Sequence, residues 1–377
     1  MSGTRSRSEV CAAAAGGLRG RDAGAFRAVV GFDGMVDTIA RAVDRREGSG
    51  TFTPMRAMGD FAKRVSDNAG TSINIELAVE RVKVGGNGAI LADALASMGA
   101  RVSFVGGIGG EEGVHEVFRE FAERCASVHA TSAPGFTDAV EFGDGKVMLG
   151  KTAALSEITW ARVVEAFGGL DGLVRALRGA ALLAPESWTM VPHMNEIWAG
   201  LSREALSRVP VGERPGVFID LADPAKRTDE EVRGALGLLE EMQGVTDVAL
   251  GLNLAESRRI AAIVGAKKPE GIEEAAVVVR EAVGLSCVVA HRREGSAASW
   301  GDGAARFEGA FTKQPKMSTG AGDHFNAGFA LGWRLGLGVE EALAVGSAVS
   351  GLYVRSGESP SMEKVIAFLE GMPEPER

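Results

Sequence analysis

Short apolar runs recur along this chain: Ala28-Val-Val-Gly31-Phe32, Ala181-Leu-Leu-Ala184, Gly216-Val-Phe-Ile-Asp220, Asp247–Leu252 and Ser286–Ala290. Each is too short for a helix of its own, and helical stretches lie between them. A strand buried on both faces reads as a continuous apolar run, and a crossover helix is the usual way to return for the next parallel strand. The pattern therefore predicts an α/β fold: a doubly wound, mostly parallel sheet flanked by helices.

The 377 residues are enough for one large domain with a small appendage. A helix is expected over Pro54–Asn68, where Met55, Met58, Phe61, Ala62 and Val65 recur at helical spacing. Thr71–Val84 alternates Ile and Val with polar residues, and Ala139–Phe142 and Lys146–Leu149 flank a Gly143-Asp144-Gly145 turn. These segments, about 70–84 and 138–150, are expected to form a small β lid set aside from a main domain over 26–370. Residues 1–25, rich in Ala and Gly, are expected to be a mostly disordered extension. A helix is also expected over Glu111–Cys125.

The net charge is -9, which argues against nucleic acid as a partner. No apolar run is long enough for a membrane span. Cys11, Cys125 and Cys287 are isolated and suit free thiols in a reducing cytoplasm. His115, His129, His193 and His291 lack metal-ligand spacing. A phosphate-binding Gly-x-x-x-x-Gly-Lys loop is absent, and the glycines at 107 and 109 are followed by Glu112, which breaks a dinucleotide fingerprint.

The chemistry concentrates in Ser318-Thr-Gly-Ala-Gly-Asp-His-Phe-Asn-Ala-Gly-Phe329. Gly320, Ala321 and Gly322 leave backbone N–H groups uncovered at the start of a helix that Phe325, Phe329 and Trp333 seat on the core. Unpaired N–H groups and the helix dipole make an anion site. Asp323 sits beside it, either as a helix N-cap or as a base placed next to the donors that a phosphoryl transfer requires.

This tract resembles the C-terminal signature of the ribokinase-like (PfkB) carbohydrate kinases. Val84-Gly-Gly-Asn87-Gly-Ala-Ile-Leu-Ala92, with Phe104-Val-Gly106 and Gly109, resembles their N-terminal signature, and Asn253-Leu-Ala-Glu256 resembles their Asn-x-x-Glu motif. The resemblance runs in order from about Val29 to Pro360. It implies an ATP-dependent phosphotransferase acting on a hydroxyl, expected to be a primary alcohol, of a small sugar or sugar acid. Asp323 would be the general base, and Gly320, Ala321 and Gly322 the anion hole. Asp33 and Asp37, at the end of the first strand, would bind the sugar with Gly86 and Asn87. Thr319, Gly320, Gly322, Asn253, Gly346 and Ser350 would bind the nucleotide. Asn253 and Glu256 would hold Mg²⁺ through water, and a monovalent cation is a further implied cofactor. Glu111 stands at the family's acidic position after the second glycine signature. A homodimer joined through the lid is also implied.

Some residues depart from the pattern. His324 follows Asp323 where the family has a small residue, and is expected to be solvent-facing filler. Asp37 follows Gly31 by one residue more than usual, and Phe32-Asp-Gly-Met-Val-Asp37 and the helix before the lid resemble ADP-dependent sugar kinases. An ADP-dependent sugar kinase, a nucleoside kinase and a non-catalytic binding relative are the alternative readings. Asp220 and Asp223 are expected either near the nucleotide or in a turn.

Overall fold

The computed structural model describes residues 5–110, 113–301 and 303–376. Its main sheet has nine strands. Arg27–Phe32 lies inside it, with Arg101–Gly107 and then Ser127–Ser132 on one side. On the other side follow Leu182–Pro185, Gly216–Asp220, Val248–Asn253 and Cys287–Arg292. All these strands are parallel, and the hairpin Gly295–Trp300/Gly303–Glu308 closes one edge antiparallel. Every apolar run picked out above is a strand of this sheet. Helices cover both faces over two large apolar cores, one containing Phe104, Phe121 and Phe329, the other Trp198, Leu239 and Leu250.

The chain winds outward from Arg27–Phe32 in one direction and then returns to its other side at Leu182–Pro185. Connections from these two neighbours leave in opposite directions, so a crevice opens beyond their C-terminal ends. Doubly wound sheets bind ligands at this reversal.

The second sheet has five strands: Met35–Arg46, Phe52–Pro54, Leu77–Gly85, Gly135–Phe142 and Gly145–Lys151. Its central member, Met35–Arg46, pairs antiparallel with Leu77–Gly85 and parallel with Gly135–Phe142. The expected lid is present, but this central strand gave no sequence signal. Most of its residues from Met35 to Val43 are buried, so it lacks the apolar–polar alternation of a one-sided strand. Residues 71–76 alternate but form no strand. The helix before the lid is present as Met58–Asp67.

Two expectations are corrected. The segment expected to form one helix over 111–125 instead contains the short strand Gly113–Val114, a tight turn at Glu116–Phe118 and a helix over Arg119–Arg124 only. Glu111 itself lies outside the described residues. The N-terminal segment is not disordered from residue 5 onward. Arg7–Leu18 is a helix that packs on the helices Val339–Ser356 and Met362–Glu370, burying Val10, Cys11, Ala14, Ala15 and Leu18. Ser6 and Glu9 form a reciprocal capping box at its start, with the Ser6 N–H donating to the Glu9 carboxylate at 2.7 Å. Arg5 pairs with Glu340 and Glu341, and the Arg7 guanidinium donates to the carbonyls of Glu308 and Pro373. The Ser-x-x-Glu spacing was the available signal. The alanine run looked like low complexity because small residues suffice where helices pack closely.

This helix is therefore part of the core. Leu18→Ala removes a side chain that is 1% exposed, and the expected cost is about 2–5 kcal/mol, read as a lower urea midpoint at unchanged m-value.

Candidate active site

The crevice collects acids from successive strand ends. Asp33 directly follows Arg27–Phe32, Glu186 directly follows Leu182–Pro185, and Asp220 ends Gly216–Asp220. The helix Ala321–Arg334 brings Asp323 to the same place. Asp33, Glu186 and Asp220 are buried. Asp33 accepts from the N–H groups of Asn87 and Gly88 at 2.9 and 2.8 Å, so it caps the helix Asn87–Ser97 from outside. Asp220 accepts from the Ala222 N–H and from the Asn326 amide, both at 2.8 Å. Neither carboxyl oxygen of Glu186 has a hydrogen-bond partner among the described residues.

Burial pushes all four carboxyls up, and for Glu186, Asp220 and Asp323 the neighbouring acids push them further. Asp220 reaches about 6. Asp323 is raised well above the usual carboxylate range, chiefly by desolvation and then by Asp220 and Asp33, while the Lys83 ammonium pulls it back. Asp323 occupies the third helical position and Gly320 is the N-cap. The simple capping role for Asp323 is thereby removed. Gly320 has φ +94°, a conformation that favours glycine, and its turn presents the first helical N–H groups.

The sequence placed Asp37 at the end of the first strand. It is instead the third residue of the lid's central strand, because Gly34 turns the chain out of the core. It pairs across the ladder with Lys83 and Thr137 and is 4% exposed. A Cβ on Gly85 would lie 2.2 Å from the Asp37 carboxyl carbon, and Gly86 has φ +91°. The double glycine thus lets the carboxylates of Asp33 and Asp37 crowd the start of the Asn87–Ser97 helix.

Beside this cluster lies a cavity of about 640 Å³ lined in part by Lys146, Asn253, His291, Ala321, Gly322 and Ser350. Arg292, Arg293 and Lys313 also face it, so the acidic chain gathers cations here. Asn253, Gly322 and Ser350 are thus brought together as expected. Gly346 and Thr319 do not line it. Gly346 is buried where two helices cross, and a Cβ on it would meet the Phe325 ring at 2.8 Å. Ser347, one residue on, faces the cavity. Thr319 instead accepts from Lys146 Nζ through its hydroxyl oxygen at 2.6 Å, and its carbonyl accepts from the Tyr353 hydroxyl at 2.6 Å.

Asn253 and Glu256 are bound to each other in a capping box, with N–H to side-chain oxygen distances of 2.7 and 3.0 Å. Burial and Asp220 push Glu256 up to about 7. Among the described residues no group of three or more His, Cys, Asp or Glu is arranged around a metal position.

Sequence reasoning missed Glu186, Lys83 and Lys146. The two lysines come from the lid strands, are pushed down by burial and are drawn back up by acids that include Asp37 and Asp323. No motif marks them, since only the folded lid carries them to the cleft. His324 was expected to face solvent. It is 2% exposed, stacked on Tyr353 with ring centroids 3.6 Å apart, and its Nδ1 lies 2.7 Å from the Gly320 carbonyl oxygen.

Residues 19–372 match the family model described as prokaryotic ketohexokinase. A ketohexokinase of Haloferax volcanii is 32% identical over 348 residues, spanning 92% of this chain and 91% of that protein. The chain belongs to the prokaryotic ketohexokinase family. It is a carbohydrate kinase of the ribokinase-like (PfkB) group. The fold agrees: a ribokinase from Thermotoga maritima superposes with TM-score 0.62 at 20% identity, over 92% of this chain and 99% of that one. An adenosine kinase from Sinorhizobium meliloti gives TM-score 0.62 at 18% identity, over 92% and 99% of the two chains. Among the described residues no helix is long and apolar enough to cross a membrane.

The raised pKa of Glu256 has a measurable consequence. The folded chain holds this proton up to about pH 7, whereas an unfolded Glu releases it near about 4.3. Stability from this group is therefore full below about pH 4 and is lost as pH rises through about 7. Glu256→Gln keeps a capping acceptor and removes the charge. Relative to wild type it should gain stability between pH 5 and 8, by at most about 3 kcal/mol, read from urea midpoints across that range.

Proposed function

We propose that this family member is an ATP-dependent ketohexokinase that phosphorylates a primary hydroxyl of a ketohexose. The observation that carries the reading is Asp323: a carboxylate at the first turn of a helix, beside the uncovered N–H groups of that turn, at the reversal point of the sheet. The match to a protein named ketohexokinase over nine-tenths of both chains supports the substrate class.

In this reading the sugar lies between Asp33, Asp37, Gly86 and Asn87, with its reacting hydroxyl toward Asp323. Glu186, buried and unpartnered, is available to a further hydroxyl. Asp323 accepts the hydroxyl proton as the oxygen attacks the terminal phosphorus of ATP. Charge on the transferred group is met by the N–H groups of the Gly320–Gly322 turn and by the ammonium groups of Lys83 and Lys146. The nucleotide occupies the 640 Å³ cavity between the lid and the C-terminal end of the strand Cys287–Arg292. A divalent cation fits beside it. Asp220 and Glu256 would supply hard oxygen atoms, and a nearby positive charge would relieve the raised pKa of Glu256. When bound, the cation screens the phosphate charge. A homodimer through the lid accords with the apolar side chains exposed on it: Val79, Val82, Phe136, Met148 and Leu149. The enzyme works in the cytoplasm, where ATP is supplied.

The test is a panel of fructose and other ketohexoses, aldoses, sugar acids and adenosine, each with ATP or ADP and Mg²⁺. A ketohexose with ATP should give the highest kcat/KM, with phosphate on a primary carbon by NMR. Preference for adenosine or for ADP as donor would replace this reading with a nucleoside or ADP-dependent kinase. Asp323→Asn should lose about 10²–10⁴ in kcat, the usual worth of general-base help, with ATP binding retained. Retention of more than about a tenth of the rate would remove Asp323 as base.

Lys83 offers a separate check. Its ammonium lowers the pKa of Asp323, so Lys83→Met should shift the acid limb of the kcat/KM profile to higher pH and lower kcat. An unmoved limb would mean that Lys83 does not face the base.

A further inference from the structure

The turn that carries the anion site is made of residues with little conformational preference of their own. Gly320 is held at φ +94°, Ala321 and Gly322 are small, and the Ala321 N–H makes only a long contact of 3.3 Å with the Ser318 carbonyl. The carbonyls of its two opening residues are nevertheless tied down. The Thr319 carbonyl accepts from the Tyr353 hydroxyl at 2.6 Å and from Lys83 Nζ at 3.4 Å. The Gly320 carbonyl accepts from the His324 N–H at 3.1 Å and from His324 Nδ1 at 2.7 Å. The two rings responsible lie against each other, centroids 3.6 Å apart and planes 14° from parallel.

We propose that the stacked His324–Tyr353 pair is a brace that sets the anion-binding turn, with both residues acting as positioning residues for phosphoryl transfer. A peptide unit is planar, so fixing a carbonyl fixes the following N–H in the opposite direction. Fixing the carbonyls of Thr319 and Gly320 therefore fixes the N–H directions of Gly320 and Ala321, and through them the winding of the first helical turn. Donors aimed before the reaction cost no reorganisation when charge develops, which is where their catalytic value lies.

The brace is anchored outside the cleft. His324 Nε2 lies 2.9 Å from the Ser359 hydroxyl, which lies 2.6 Å from a carboxylate oxygen of Asp93. The other Asp93 oxygen accepts from Arg124 at 2.9 Å. A carbonyl oxygen only accepts, so His324 carries a proton on Nδ1, and the Ser359 hydroxyl gives its single proton to Asp93. Burial disfavours the charged form of the ring and pushes its pKa down to about 4. The turn stands between two cavities. Ala321 and Gly322 line the 640 Å³ nucleotide-side cavity, while His324, Tyr353, Ser359 and Asp93 line another of about 620 Å³ behind it. The space behind the turn is thus not filled by packing, and the ring pair supplies the rigidity that packing would otherwise give.

The experiment compares His324→Phe, His324→Gln and Tyr353→Phe with wild type by amide exchange over residues 318–324 and by steady-state kinetics. Phe keeps the stack and the backbone donor but has no side-chain donor for the Gly320 carbonyl, and Gln restores a side-chain N–H. His324→Phe should speed first-turn exchange about tenfold and lower kcat by about 10–100-fold, somewhat less than deleting a whole oxyanion donor, with sugar KM within about twofold. His324→Gln should recover most of both. Tyr353→Phe should show a smaller loss of the same kind, because Lys83 still reaches the Thr319 carbonyl. Wild-type exchange and kcat in His324→Phe, or Gln as impaired as Phe, would overturn the brace. If His324→Phe does not fold, wild-type exchange in Tyr353→Phe overturns it equally. The kinetic half rests on the function proposed above. A wild-type protein that phosphorylates no sugar would sink that reading, and the exchange measurement would still decide this one.

Discussion

Like charges at the ends of adjacent parallel strands repel one another where water reaches poorly, and the rest of the site is arranged around that repulsion. Asp33, Glu186, Asp220 and Asp323 converge at the sheet's reversal point. Each loses solvation, and three of the four also lose ionisation to their neighbours. A core built only for stability would not gather such groups. The hydrogen-bond partners of Asp33 and Asp220 are backbone N–H groups and one amide, Asn326, so these two are held by dipoles rather than by full counter-charges. A cluster left short of positive charge is suited to ligands that bring it, and cation-bound nucleotide does so.

The cations that are present come from the lid. Lys83 and Lys146 reach across from separate strands and meet at Thr319, the residue that opens the anion-binding turn. Both give up solvation to do so. In a chain of net charge -9 this is a local reversal of sign at the cleft. It also makes the lid an electrostatic part of the cleft rather than a cover over it.

What could be read from the residues follows from where the information lies. Five strands of the main sheet were visible because burial on both faces leaves an unbroken apolar run, as at Val217–Ile219 and Val248–Leu252. The Gly320–Gly322 turn was visible because it places small residues at consecutive positions. The lid's central strand was not, since Met35–Arg46 has most of its inner residues buried, Asp37 among them. The N-terminal helix was obscured by its alanines, although Ser6 and Glu9 signalled its start. His324 was misread because an isolated histidine carries no information about what covers it. Its partners, Tyr353, Ser359 and Asp93, are distant in sequence and meet only in the fold. Glu186 is equally silent, a single acid after a strand whose meaning depends on which strands are its neighbours.

The pairing of the lid strands has one more implication. Asp37 stands opposite Lys83 on one side and Thr137 on the other. Side chains along a strand point alternately to opposite faces, so sliding any partner by one residue would turn its contribution away from the cleft. The spacing between Gly34 and Asp37, and between Lys83 and the double glycine at 85–86, therefore acts as a ruler. A loop at the lid's outer tip, such as residues 47–51, can change length freely. An insertion on the inner side would break the alignment of three separate strands at once, which makes the innermost residues of an outlying sheet as tightly specified as the core itself.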